Sequence, residues 1–304
     1  MDTIVTTKPT VIARDSQVHR LASGRQIGFA EYGGPGGLPA IALHGTPGSR
    51  YMFALTDEAA RTRGLRLIAP ERPGYGLSET HHFDTLAETA ADVESLADAL
   101  GFDRFALIGV SGGGPHAIAA AARMTDRILR MALIGPVGPI AECGDHIRMS
   151  HLHRLIFHHL APSAYAAGAL FYSLRSLVDW APGIAYHLLM QRVTASDREV
   201  LYRPEVRANL QAAIREGLRT GVDGALQDLR LYCGPWNLRL TEIDVPTIMW
   251  QGSADTIVPP DAAYHLASAL PNCRLEIIEG AGHYWVFGGF DRVLDEVRGA
   301  WPRR

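Results

Sequence analysis

The sequence predicts an α/β fold: a mostly parallel central sheet flanked by helices, interrupted by an inserted helical lid. Three observations predict it. Short apolar runs, AIALHG, LRLIAP, RFALIGV, ILRMALIGP, PTIMWQG and CRLEIIEG, end in Gly, Pro or polar residues, as buried parallel strands do. Helical periodicity fills the segments between the first four runs and between the last two. From about Ile140 to Pro235 there is no strand signal, only helical stretches.

Taken in chain order, VHRLASGRQIGFAEYG reads as a hairpin turning at Ser23 and Gly24, followed by the loop GGPGGLP. Leu86, Ala90, Val93, Ala97 and Leu100 recur at helical spacing between the second and third runs. In FALIGVSGGGPHAIAAAARM, residues 105–124, the apolar run turns into an alanine-rich helix with Pro115 near its first turn, where a missing N–H costs nothing. Ser111 sits on the corner. A turn that tight strains the backbone at Ser111 and requires Gly109 and Gly113 to lack side chains, so that strand and helix can approach. The bland alternative is a glycine-rich turn with an incidental serine. Within the interval 140–235, Leu152, Leu155, Ile156 and Leu160, then Val206, Leu210, Ala213 and Ile214, form apolar stripes, punctuated by Pro162, Pro182, Pro204 and Pro235. The expected organisation is a core of residues 1–139 and 236–304 with a lid of 140–235. Such a lid would enclose a mainly apolar pocket; alternatively its helices complete the core or form the surface of a homodimer.

Bulk properties narrow the function classes. With 304 residues and 47% apolar side chains the chain can bury a sizeable core, and a net charge of −3 gives no basic field for nucleic acid. Three cysteines, Cys143, Cys233 and Cys273, make no disulfide framework and point to a reducing compartment. No apolar run is long enough for a signal sequence or a membrane span, so the expectation is a cytoplasmic protein acting on a small molecule. Lys8 is the only lysine and lies in a tail expected to be loose, which argues against serine–lysine and Schiff-base chemistry.

A serine hydroxyl needs a base, and the base needs a carboxylate to fix its tautomer. The strand PTIMWQG leads into Asp255, and CRLEIIEG leads into His283, so both residues fall past carboxyl strand ends on the same edge as Ser111. The order Ser, Asp, His suits a nucleophile elbow on this type of sheet. HGTPGS follows an early strand and can aim a backbone N–H at a developing oxyanion. The Thr46 and Gly112 N–H groups are the expected oxyanion hole. His44 is read as a brace for that loop, with a substrate contact as its other reading.

These motifs resemble the α/β-hydrolase superfamily, lidded serine-hydrolase branch, from near Val18 to near Trp301: HGTPGS at 44–49, ERPGYGLS at 71–78, GVSGG at 109–113, GSADTIVP at 252–259 and GAGH at 280–283. The resemblance implies a Ser111, His283, Asp255 triad and a cofactor-independent hydrolase of carboxylic esters, lactones or amides with an apolar acyl portion. Relatives that open epoxides or displace halide carry aspartate at the elbow, against Ser111. The chain is also similar to proline iminopeptidases, but their HGGPG loop is HGTPGS here and their elbow tryptophan is Gly112. Glu199, Glu205 and Glu216, candidates for holding a free amine, are better read as a solvated helix face. A ligand-binding or signalling role with slow or vestigial hydrolysis, carbon–carbon hydrolysis and perhydrolysis stay open on the same site.

Other features are weighed lower. His146, His151, His153, His158 and His159 cluster in the first lid segment, but their spacing does not make a metal site, and none is predicted. Tyr75 and Trp285 are candidate substrate contacts, along with Tyr51, Phe53 and Phe287; aromatic core packing explains each as well. Cys143 and Cys233 flank the insertion without any sign of disulfide reach.

Overall fold

A computed structural model describes residues 14–143 and 155–302. Eight strands form one sheet in the order β1-β2-β4-β3-β5-β6-β7-β8. The hairpin β1 (Gln17–Arg20) and β2 (Gln26–Gly33) turns through Gly24 at φ 86°, and β2 runs antiparallel to β4 (Leu65–Pro70). From there to β8 (Cys273–Ile278) neighbouring strands are parallel, through β3 (Leu38–Leu43), β5 (Phe105–Val110), β6 (Ile128–Ile134) and β7 (Thr247–Gly252). Each predicted run is one of these strands.

Period-two geometry explains why the runs are apolar throughout. Alternate residues of β3 and β5 feed different cores: Ile41, Leu43, Phe105 and Leu107 one, Ala40, Ala42, Ala106 and Ile108 the other. The first core is closed by α2 (Leu86–Ala99), α3 (Gly113–Arg123) and α10 (Pro260–Ala269), the second by α1 (Asp57–Thr62) and α11 (Val286–Arg298). In α2 the buried stripe contains Leu86, Ala90, Val93 and Ala97, as the spacing predicts.

Between β6 and β7 the chain is helical among the described residues: α4 (Ile140–Cys143), a π-helical turn Leu155–Leu160, α5 (Ala164–Trp180), α6 (Pro182–Arg192), α7 (Ala195–Leu201), α8 (Pro204–Gly217) and α9 (Asp223–Cys233). Pro182 and Pro204 open α6 and α8, where no amide partner is lost. Val206, Leu210 and Ala213 are buried as expected; in the first segment Leu155 is exposed and Ile156 is half-buried, packed against the cluster of Ala167, Phe171 and Leu229. Leu152, His146, His151 and His153 lie outside the described residues, as does Lys8.

This insertion is fastened to the core by buried charges. Arg50 Nη1 sits 2.7 Å from both Glu71 Oε1 and Glu216 Oε1 of α8. Glu216 is therefore neither a solvated residue nor a free amine ligand, a correction to its sequence reading; Glu199 and Glu205 are exposed. No helix among the described residues is long and apolar enough to cross a membrane.

Candidate active site

Ser111 follows the last residue of β5 and has φ 53°, a left-handed conformation that a side chain adopts only under strain. Its N–H is held by Ile134 O at 2.8 Å. The flanking glycines are there for space: a Cβ on Gly109 would lie 2.9 Å from the Cβ of Ala117, and one on Gly113 would collide with the carbonyl of Leu43. The strained corner therefore forms because strand and helix are in contact on both sides of it.

His283 enters from the loop after β8, and its Nε2 lies 3.0 Å from Ser111 Oγ. Its Nδ1 is 2.7 Å from Asp255 Oδ2. With Nδ1–H donated to the carboxylate, Nε2 is left as the acceptor facing the serine. Asp255 follows β7 and is buried but fully engaged. Its Oδ1 accepts the N–H groups of Ile257 and Val258, each at 2.8 Å, and Gln251 Nε2 donates to Oδ2 at 3.1 Å. Burial pulls the His283 pKa down, but the charge and hydrogen bond of Asp255, with a smaller contribution from Asp197, outweigh it and leave the imidazole above its ordinary value.

Nothing in the sequence singles out Asp197. It lies in the first turn of α7, buried, and accepts the backbone N–H of His283 at 3.0 Å and of Tyr284 at 2.7 Å. A carboxylate from the insertion thus holds the histidine loop by its main chain.

Thr46 and Gly112 lie side by side, since a Cβ on Gly112 would be 3.0 Å from the Cβ of Thr46. Among the described residues neither backbone N–H is taken by a backbone or side-chain acceptor. Behind them is a buried polar network. Asp228 of α9 accepts from Arg72 Nη2 at 2.6 Å, Tyr75 OH at 2.7 Å and Thr46 Oγ1 at 2.6 Å, and His116 Nε2 is 3.1 Å away. Arg72 also donates to His44 O at 2.6 Å and to Thr46 Oγ1 at 3.0 Å. Burial alone would raise the Asp228 pKa, but the Arg72 charge and its hydrogen bonds hold the carboxyl well below the usual range. The His44 pKa is lowered by burial and by Arg72, so the ring is neutral.

This placement corrects two candidate substrate contacts. His44 and Tyr75 are each 0% exposed and their rings meet edge to face at 4.9 Å, so they pack behind the 44–46 loop and offer no surface to a ligand. Trp285 is half-buried, packed against Gly289 and the apolar cluster under α11. A groove runs between α5, α6 and the loop after Asp255, with Ser111, Asp255 and His283 outside its lining. It measures about 670 Å³ and is lined by Leu170, Leu174, Leu177, Leu188, Leu189 and Ile257. No cluster of metal-ligating side chains occurs among the described residues. Cys233 and Cys273 are free thiols.

A family model described as the alpha/beta hydrolase fold matches residues 41–290. The chain is 27% identical over 277 residues to a 2-hydroxymuconate semialdehyde hydrolase of Pseudomonas putida, covering 87% of this chain and 86% of that one. It is 28% identical over 274 residues to a non-heme chloroperoxidase of Streptomyces lividans, covering 86% and 91%. Among solved structures, an esterase from Exiguobacterium antarcticum superimposes with a TM-score of 0.70 at 18% identity, covering 93% of this chain and 98% of that one.

Proposed function

Because the chain belongs to the alpha/beta hydrolase fold family, we propose that it is a serine hydrolase, cleaving carboxylic esters through an acyl-enzyme, with lactones and amides as related acyl substrates. The observation that carries this reading is the unbroken line from Ser111 Oγ through His283 to Asp255, with steps of 3.0 and 2.7 Å. Ser111 Oγ attacks the carbonyl carbon while His283 Nε2 takes its proton, and Asp255 stabilises the imidazolium and fixes its tautomer. The carbonyl oxygen, now negative, is held by the N–H groups of Thr46 and Gly112. Collapse expels the alcohol, protonated by His283, and water activated by the same imidazole releases the acid. No cofactor enters these steps. The helical insertion serves as the cap, and the leucine-rich groove beside Ile257 suits an apolar acyl portion.

The test is labelling with a fluorophosphonate and turnover of p-nitrophenyl esters. Ser111→Ala should abolish labelling and lower turnover on the order of 10⁶-fold. Labelling that persists at another serine overturns the assignment. A second reading, hydrolysis of a carbon–carbon bond by the same three side chains, is favoured by the similarity to the 2-hydroxymuconate semialdehyde hydrolase. A panel of esters and vinylogous diketones separates the two by their relative kcat/KM.

A further inference from the structure

The residues around the 44–46 loop point to a role for α9 that the triad does not contain. Asp228 and Tyr232 are one helical turn apart and therefore project from the same face. Asp228 Oδ2 accepts from Thr46 Oγ1 at 2.6 Å. Tyr232 OH donates to Gly112 O at 2.7 Å and also lies 2.8 Å from Thr46 Oγ1. One face of one helix thus grips both residues whose N–H groups are assigned to the oxyanion. The fit leaves no slack at Gly112, where an added Cβ would be 2.5 Å from the Tyr232 hydroxyl.

We propose that Asp228 and Tyr232 are positioning residues for the oxyanion hole, and that α9 of the helical insertion clamps the Thr46 and Gly112 donors in the geometry the tetrahedral intermediate needs. This rests on the ester-hydrolase reading given above. Two physical arguments support it. Donors act on an oxyanion in proportion to how well they are aimed before the charge appears, so their supports matter as much as the donors themselves. A buried Arg–Asp pair, by contrast, gives little net stability compared with apolar packing of the same shape, whereas its fixed hydrogen-bond directions define position. Arg72 supplies that definition here, joining Asp228 to the carbonyl of His44 and the hydroxyl of Thr46. Neither side chain exchanges protons during turnover: burial pushes the Tyr232 phenol up, and Arg72 keeps Asp228 ionised. They are struts with a fixed charge state.

The test uses mild variants that leave the Arg72–Asp228 pair intact. Tyr232→Phe and Thr46→Val each remove one hydroxyl and retain every backbone N–H; Thr46→Ser keeps the hydroxyl. The readouts are kcat and KM on a p-nitrophenyl ester, and the rate ratio between that ester and its thiono analogue, whose sulfur accepts hydrogen bonds poorly. Tyr232→Phe and Thr46→Val should each lower kcat about 10-fold, a fraction of the 10²–10³ lost with a whole donor. KM should stay within about twofold and the oxo-to-thiono ratio should fall, because a loosened hole discriminates less between the two atoms. Thr46→Ser should restore both. Unchanged kcat and ratio in both variants, or a fall in kcat with the ratio intact, overturns the proposal. If the unmodified protein has no Ser111-dependent ester turnover at all, the ester-hydrolase reading has failed instead.

Discussion

The two arms of the proposed site are braced differently. In the proton-transfer arm the groups proposed to react are side chains just past strand ends: Asp255 is held by N–H groups two and three residues on and by Gln251 four residues before it, and the insertion enters this arm through Asp197, which accepts the backbone N–H of His283. In the proposed oxyanion arm the groups are main-chain donors, and what braces their residues comes from far along the chain. Thr46 and Asp228 are 182 positions apart, and Gly112 and Tyr232 are 120 apart. The proposed carboxylate of the triad is thus placed by its own short loop, whereas the residues carrying the proposed backbone donors are braced by a buried ionic network that spans core and insertion.

The comparison breaks most sharply at Asp255. Asp255→Asn should lower kcat about 10⁴-fold with the fold intact, because the amide favours the wrong imidazole tautomer; a loss below tenfold would remove the first arm as described. Next comes Asp228→Asn, which strips the counter-charge from a buried arginine. It should cost about 3–5 kcal/mol in urea unfolding, while Asp228→Met combined with Arg72→Met should recover most of that stability and little of the kcat. Recovery of both together would make the network mere packing.

A smaller effect concerns pH. As the proposed base His283 works only when neutral, and its pKa lies above the ordinary histidine value, so kcat/KM should fall as pH drops through a midpoint above 6.5. The same raised value means that its charged form stabilises the fold fully below the unfolded pKa, a contribution lost as pH rises through the folded one. Asp197→Asn should move the acid limb of kcat/KM downward, because one of the two carboxylates favouring the imidazolium has lost its charge; an unmoved limb would leave Asp197 as a backbone fastener only. The smallest change is expected on the outer helices. Trp180 is 89% exposed at the end of α5, and Trp180→Ala should leave kcat on the p-nitrophenyl ester within about twofold.

The two arms also differ in how far they can be read before folding. Strand ends are visible as apolar runs broken by Gly or a polar residue, and three such ends supply Ser111, Asp255 and His283. The glycines around Ser111 even foretell its backbone, φ 53°. Asp228 has no such flag. It stands in DGALQDLRLYC, where an acid between leucines at helical spacing looks like a solvated face, and only tertiary packing turns it inward. The available hint is Arg72 in ERPGYGLS, an arginine in a Gly/Pro loop beside a strand end, which needs a carboxylate once buried. His44 and Tyr75 fail as substrate contacts for a related reason: proximity to the site can be read from strand order, but which side of a loop faces solvent depends on what packs behind it. Glu216 is the same lesson on α8, drawn inward by Arg50.

The corner at Ser111 carries a consequence for anyone wishing to toughen this protein. Its left-handed backbone costs on the order of 1–3 kcal/mol for any residue bearing a Cβ, and glycine alone would sit there at ease. The substitution that most directly relaxes the chain would also delete the hydroxyl proposed as the nucleophile, so on that reading robustness and reactivity compete at a single atom's attachment point. Gains in heat tolerance must be sought elsewhere, in parts of the molecule indifferent to the angle at which that oxygen is held.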